Sequence, residues 1–222
     1  MRLFIIRHSD PAPGEDALTP AGHEEAKVIA QALEKIGIDR IYCSPLHRAI
    51  QTMEYTAQRL HREPILENWL KELDWFLSWK PNEKRSAWNL PGELVRADRP
   101  FTLPSEILAR FEELKHASDH FLSQLGYQKS GFRYRAVNPH HEKIAVFSHG
   151  GHGLTWLAHL LELPLTFFWS GFWLDPSSIT TIHFEQHSSE WAVPRCLGIN
   201  DVSHLRQAGL PPQASSLFKK FL

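Results

Sequence analysis

The chain has 222 residues, 42% hydrophobic and 22% charged, with a formal net charge of −1. This is ordinary for a globular protein with one sizeable core, and it gives no sign of a nucleic-acid or anionic-membrane partner. The apolar run Leu3–Ile6 is too short for a signal-peptide core or a membrane span, so a cytoplasmic location is expected. The two cysteines, Cys43 and Cys196, have neither metal-ligand spacing nor a disulfide framework, and both are expected to be reduced thiols.

Leu3 to Ile6 reads as a buried parallel strand that ends abruptly in charge at Arg7-His8. Thr19-Pro20 carries the signal of an N-cap followed by proline at the first helical position. Ala26, Ile29, Ala30 and Leu33 then recur at helical spacing, with Gly37 as the stop. Arg40 to Cys43 predicts a second strand, and Ser44-Pro45 repeats the cap-plus-proline signal for a helix to about Leu60. Alternating strands and helices predict an α/β fold: three α/β/α layers, with a mostly parallel central sheet and helices on both faces.

The segment from Ile65 to Pro104, rich in tryptophan, proline and mixed charge, breaks this pattern. It predicts a strand and then a cap insertion at about 67–104 within a single domain spanning 1–222. Ser105 is expected to cap a long helix with Ile107, Leu108, Phe111, Leu114, Phe121, Leu122 and Leu125 on its core face. Tyr127 to Val137 predicts a hairpin around Ser130-Gly131. Lys143 to Phe147 predicts another buried strand that ends at Ser148-His149-Gly150-Gly151, followed by a helix from about His152 to Leu161. Ser178 to Phe184 and Trp191 to Leu197 predict a final strand pair.

Three predicted strands therefore end in reactive or phosphate-binding residues. In open parallel sheets, sites form beyond the carboxyl ends of the strands. Arg7, His8, Arg48 and His149 are expected to converge there with helix N-termini, in a pocket suited to a phosphoryl group. A neutral imidazole is a competent nucleophile near pH 7, so His8 is the expected nucleophile. Arg7, Arg48 and His149 would hold the charge that spreads over the transferring group. His149 and His152, like His140-His141, invite a metal reading, but no carboxylate or cysteine completes a ligand set, so neither metal nor cofactor is expected.

These residues resemble a known family. Arg7-His8, Leu18-Thr19-Pro20-Ala21-Gly22, the block Ser44-Pro45-Leu46-His47-Arg48-Ala49-Ile50-Gln51-Thr52, and Ser148-His149-Gly150-Gly151 occur in the order of motifs in the histidine phosphatase superfamily, which includes the cofactor-dependent phosphoglycerate mutases. Asn200-Asp201 with His204-Leu205 resembles a C-terminal element of that family. The resemblance implies that His8 carries the phosphoryl group, that Arg7, Arg48 and His149 bind it, and that Ser9 and Gly150 adjoin the phosphate. It also implies an acid after the second helix that protonates the leaving oxygen. Glu72 falls at that place, with Asp74 and Glu67 in reserve.

The pattern is departed from at several places, among them Asp10-Pro11 where the mutases have Glu-Thr and a missing asparagine shortly afterwards. Ser9 stands where the signature has glycine, and Asp74-Trp75-Phe76-Leu77-Ser78-Trp79 replaces the family's glycine and Trp-Glu-Gly. These departures favour a phosphomonoesterase acting on a small phosphorylated substrate over a phosphoglycerate mutase. The intact set of Arg7, His8, Arg48, His149 and Glu72 favours it over a non-catalytic phosphate-binding protein, the alternative that Ser9 keeps open. Trp75, Phe76, Trp79 and Trp88 either give the pocket or lid an apolar character or pack the insertion onto the body, while Arg85, Arg96 and Arg99 could supply charge. Oligomeric state has no signal in the sequence.

Overall fold

The computed structural model describes residues 1–80, 83–97 and 101–210, without the side chains of Trp79, Lys80 and Glu83. Arg99 and the side chain of Trp79 therefore lie outside the described residues. The first half of the chain runs β1 (Arg2–Arg7), α1 (Pro20–Ile36), β2 (Arg40–Cys43), α2 (His47–Leu60), β3 (Pro64–Leu66), β4 (Phe76–Lys80), β5 (Glu83–Ser86) and α3 (Gly92–Val95). The second half runs α4 (Ser105–Gln124), β6 (Tyr127–Ser130), β7 (Arg133–Ala136), β8 (Lys143–Ser148), α5 (Gly150–Leu160), α6 (Leu165–Gly171), β9 (Ile179–Glu185), β10 (Trp191–Asp201) and α7 (Ser203–Gln207).

Side-chain alternation along the strands builds the layers. In β1, Leu3 and Ile5 enter one core, while Phe4 and Ile6 enter the other. Ile144 and Val146 of β8 join the first, and Ala145 and Phe147 the second. Residues of α1 and α2 (Ile29, Leu33, Ala49 and Met53) close the second core. Residues of α4, α5 and α6 (Leu114, Phe121, Trp156, Phe168) and of the insertion (Leu70, Trp75, Leu77) close the first. Helices thus cover both faces of a mixed α/β sheet.

The eight strands lie in the order β3-β2-β8-β1-β9-β10-β7-β6. The site half, β3 to β1, is parallel, and from β9 outward the pairing is antiparallel. The register Arg7↔Ser148 and Cys43↔Phe147 ends β1, β2 and β8 on the same edge. That edge is where the chain turns into Arg7-His8, Ser44 and Ser148-His149.

Several elements follow their sequence signals directly. Thr19 Oγ1 accepts the Gly22 N–H at 3.0 Å, Pro20 opens α1 and Gly37 closes it. Gly22 is required sterically, because a Cβ there would stand 2.3 Å from the Asp10 carbonyl oxygen. The Ser130–Arg133 hairpin forms as its turn residues predict.

Four local expectations are corrected. Ser105 does not cap α4: it is the first helical residue, with Pro104 in the cap position and no side-chain cap. Ser44 does not cap α2, which starts at His47 with Leu46 in the cap position. The carboxylate of Asp16, on a distant loop, accepts the first-turn amides of His47 and Arg48 instead (2.8 and 3.3 Å). Leu108 is 46% exposed, because it lies one residue, or about 100°, off the buried stripe of α4 that passes through Ile107, Leu114 and Phe121. Finally, α5 begins at Gly150, two residues before the predicted start, and Glu72 caps it.

Candidate active site

His8 follows β1 and donates its backbone N–H to the Ser148 carbonyl (2.9 Å), so the strand pairing leads straight into the site. The His8 and His149 rings stand 5.1 Å apart, centroid to centroid, tilted by 56°. Both residues are buried. His8 Nδ1 lies 2.8 Å from the Ser9 carbonyl. A carbonyl only accepts, so Nδ1 carries the proton and the lone pair is on Nε2. Burial, followed by the nearby Arg7 and Arg48 guanidinium groups, pushes the His8 pKa well below its ordinary 6.5. The imidazole is therefore neutral at pH 7, as a nucleophile must be.

Three cationic or polar groups surround it. Arg7 donates through Nη1 to the Leu174 carbonyl, and its guanidinium carbon lies 5.8 Å from the centre of the Trp173 ring. Burial opposes the Arg7 charge, while the Glu72 and Asp175 carboxylates favour it. Arg48 Nη1 is 2.6 Å from Asp16 Oδ1. Burial raises the Asp16 carboxyl, but the amides of His47 and Arg48 and the Arg48 guanidinium outweigh it, so the net shift is downward. His149 Nε2 meets Ser44 Oγ at 2.8 Å, and its pKa too is driven well below 6.5, first by burial and then by His8 and Arg48. Arg7 Nε and His149 Nδ1 are buried with no hydrogen-bond partner. Two unsatisfied polar atoms beside a neutral nucleophilic imidazole are what an oxyanion would complete.

Glu72 is half-buried at the start of α5. Its Oε1 accepts from His152 N–H (2.9 Å) and Leu73 N–H (3.0 Å), and its Oε2 from Gly151 N–H (3.3 Å). The reserve acid Asp74 is exposed and bound to Arg110 at 2.9 Å, and Glu67 is half-buried at the end of β3. Gly150 packs flat on Arg7: a Cβ would stand 3.2 Å from the guanidinium carbon.

Ser9 is buried beside the site. Its hydroxyl lies 2.9 Å from Ser177 Oγ, which lies 2.7 Å from the buried Glu25 carboxylate. Ser177 has one hydroxyl hydrogen and Glu25 needs it, so Ser9 must donate to Ser177. The hydroxyl is thus part of a buried chain of hydrogen bonds from Ser9 through Ser177 to Glu25. Ser9 reaches the site through its carbonyl on His8. Its amide donates to Thr52 Oγ1 at 3.0 Å.

Several supporting residues had no role assigned from the sequence. Thr52 and Gln51, at the end of the Ser-Pro block, tie down the loop after β1: Thr52 holds Ser9, and Gln51 Oε1 accepts from Leu18 N–H at 2.8 Å. Asn200 takes a positive φ of 55° and exchanges hydrogen bonds with Asp175, beside the carbonyl that holds Arg7. Glu25 and Ser177 join only through tertiary contact, and neither has a local signal. His152, considered as a metal ligand, sits between Trp69 and Trp156 with Nδ1 2.8 Å from Ser148 Oγ, and burial pushes its pKa down to about 3. Among the described residues, no group of three or more His, Cys, Asp or Glu gathers as a ligand set. No helix among them is long and apolar enough to cross a membrane.

The tryptophans of the insertion divide between the two expected roles. Trp75 is buried against Trp169 (6.1 Å between centroids), and Trp69 against Trp156 (5.1 Å), so both pack the insertion onto the body. Phe76 is exposed. Trp88 lies on Gly151, directly beside the amide that Glu72 holds.

Comparison with known proteins gives relatives over most of the chain. Putative phosphoserine phosphatase 2 of Hydrogenobacter thermophilus is 25% identical, over 93% of this chain and 98% of its own length. Phosphoserine phosphatase 1 of the same organism is 26% identical, over 84% of this chain and 88% of its own. The fold is that of phosphoserine phosphatase from Entamoeba histolytica, crystallised with 3-phosphoglyceric acid (TM-score 0.63, 24% identity, 92% of this chain and 98% of that one). It is also that of a mycobacterial glucosyl-3-phosphoglycerate phosphatase (TM-score 0.60, 20% identity, 90% and 98%). A profile of the histidine phosphatase superfamily (branch 1) matches residues 5–196, and the chain belongs to that superfamily.

Proposed function

We propose that this chain is a metal-independent phosphomonoester hydrolase that works through a phosphohistidine on His8, within a single domain capped by residues 67–104. The observation that carries this reading is the pairing of a neutral His8, its lone pair on Nε2, with unsatisfied polar atoms on Arg7 and His149. Nε2 attacks phosphorus as the bond to the ester oxygen breaks. Arg7, Arg48 and His149 stabilise the charge on the equatorial oxygens. The leaving oxygen takes a proton from the Glu72 carboxyl. The resulting carboxylate then takes a proton from water, whose oxygen attacks phosphorus. The P–N bond breaks, the lone pair returns to Nε2, and inorganic phosphate leaves.

The names of the relatives support phosphatase chemistry on small phosphorylated molecules, and phosphoserine and 3-phosphoglycerate are natural first substrates to try. The test is hydrolysis of an aryl phosphate in the presence of a chelator, with a quench into base to trap phosphohistidine. Wild type is expected to turn over and to show a base-stable, acid-labile label, and His8→Ala to lose both. Wild-type turnover by His8→Ala would overturn the mechanism.

A further inference from the structure

A cavity of about 420 Å³ opens beside the reaction centre, walled by Trp88, Leu90, Pro91, Trp169, Phe172 and Trp173. Two of its walls also touch the catalytic groups. Trp88 lies against Gly151, whose amide holds Glu72, and the Trp173 ring faces the Arg7 guanidinium. The cavity therefore adjoins both the Glu72 side and the Arg7 side of the site, sharing the Trp88 and Trp173 rings with them. Building on the hydrolase reading above, we propose that this cavity receives the leaving group, and that the preferred substrate is a phosphomonoester of a planar aromatic alcohol.

The walls are rigid and apolar. Trp169 Nε1 donates to Thr155 Oγ1 (2.8 Å), and Trp173 Nε1 to Asp175 Oδ1 (3.0 Å), so both indoles are pinned by their polar ends. Phe172 is stacked on Phe168 at 4.2 Å and 14°, yet remains 42% exposed. Arg96 closes the rim by bonding Gly92 of α3 and Ser170 of α6. Fixed ring faces around a few hundred cubic ångströms favour a flat guest, which stacks on them without ordering new side chains. Asn89, also in the wall, has Oδ1 buried without a partner, an acceptor for a ring hydroxyl or ring N–H.

Charge argues against a small zwitterion. No carboxylate lies among the described lining residues, so an ammonium group would find no counter-ion there. Arg7 already faces the Trp173 ring, so a cationic head group meets like charge there. An uncharged aromatic guest meets neither problem.

The test compares esters of alcohols with similar leaving ability: 2-naphthylmethyl phosphate, ethyl phosphate, O-phosphoserine and phosphocholine. 2-Naphthylmethyl phosphate is expected to have the highest kcat/KM, about tenfold or more above ethyl phosphate, and Phe172→Ala to shrink that ratio severalfold. Equal or better use of O-phosphoserine or ethyl phosphate would overturn the assignment, and a preference for phosphocholine would replace it with a cation cage. Binding of non-hydrolysable 2-(2-naphthyl)ethylphosphonate and ethylphosphonate to the wild-type protein, by calorimetry, separates the two layers of the argument. Tighter binding of the naphthyl compound without turnover of any ester keeps the cavity assignment and sinks the hydrolase reading. Turnover without a naphthyl preference in binding does the reverse.

Discussion

At the scale of single residues, His8 and Glu72 carry the sharpest expectations. Glu72→Gln keeps an acceptor for the α5 amides but removes the transferable proton. It is expected to slow esters with poor leaving groups by about 10²–10⁴-fold while slowing activated aryl esters far less. Equal slowing of both, measured as kcat across a leaving-group series, would take Glu72 out of the acid role. Ser177 stands between Ser9 and the buried Glu25 carboxylate. Ser177→Ala strands a buried acceptor and a buried donor, and is expected to lower stability by about 1–3 kcal/mol in chemical denaturation. An unchanged denaturation midpoint would show that water replaces the hydroxyl. The gathering of Arg7, His8, Arg48 and His149 was legible because each stands at or just after a strand end. The commitment of Ser9 to Ser177 was not, since the two are 168 positions apart and their contact exists only once β9 lies against β1.

At the scale of elements, the start of α5 joins Glu72, His149 and the aromatic cavity. Gly151 allows this, because a Cβ there would stand 2.4 Å from the Trp88 ring. Gly151→Ala must push Trp88 away or shift the helix, since the ring cannot compress. We expect kcat/KM to fall at least tenfold, with a smaller loss of thermal stability because Trp88 is only half-buried. Unchanged kinetics would show that Trp88 moves freely. The starts of α2 and α5 show where local signals fail. Ser44-Pro45 carries a cap signal, but its serine turns to His149, and Asp16 caps α2 from another loop. Glu72 does the same for α5 from the insertion. Capping by a remote carboxylate leaves no trace at the helix itself. Thr19, which caps its own helix, was readable.

At the scale of the whole molecule, the buried histidines set the response to acid. His152 titrates near 3 in the fold, against an ordinary 6.5, and His8 and His149 are also held well below that value. The unfolded chain therefore binds more protons below pH 6.5, so stability is undiminished above that pH and falls as pH drops. The loss is about 1.4 kcal/mol per pH unit for each such histidine. Glu25, raised by burial above its ordinary 4.5, opposes the trend at the acid end. Unfolding free energy measured from pH 8 to 5 should be flat and then fall, and a flat line throughout would contradict neutral burial. By itself, the sequence determined the strand–helix alternation, the two-faced strands and which polar residues stand at the strand ends, because periodicity, caps and strand-end residues are local. Only the tertiary structure decided that Ser9 serves a buried carboxylate, that Asp16 and Glu72 cap distant helices, and that Trp88 and Trp173 frame a cavity while Trp69 and Trp75 fill the core. Those outcomes depend on which surfaces meet when the sheet closes, and no spacing along the chain encodes them.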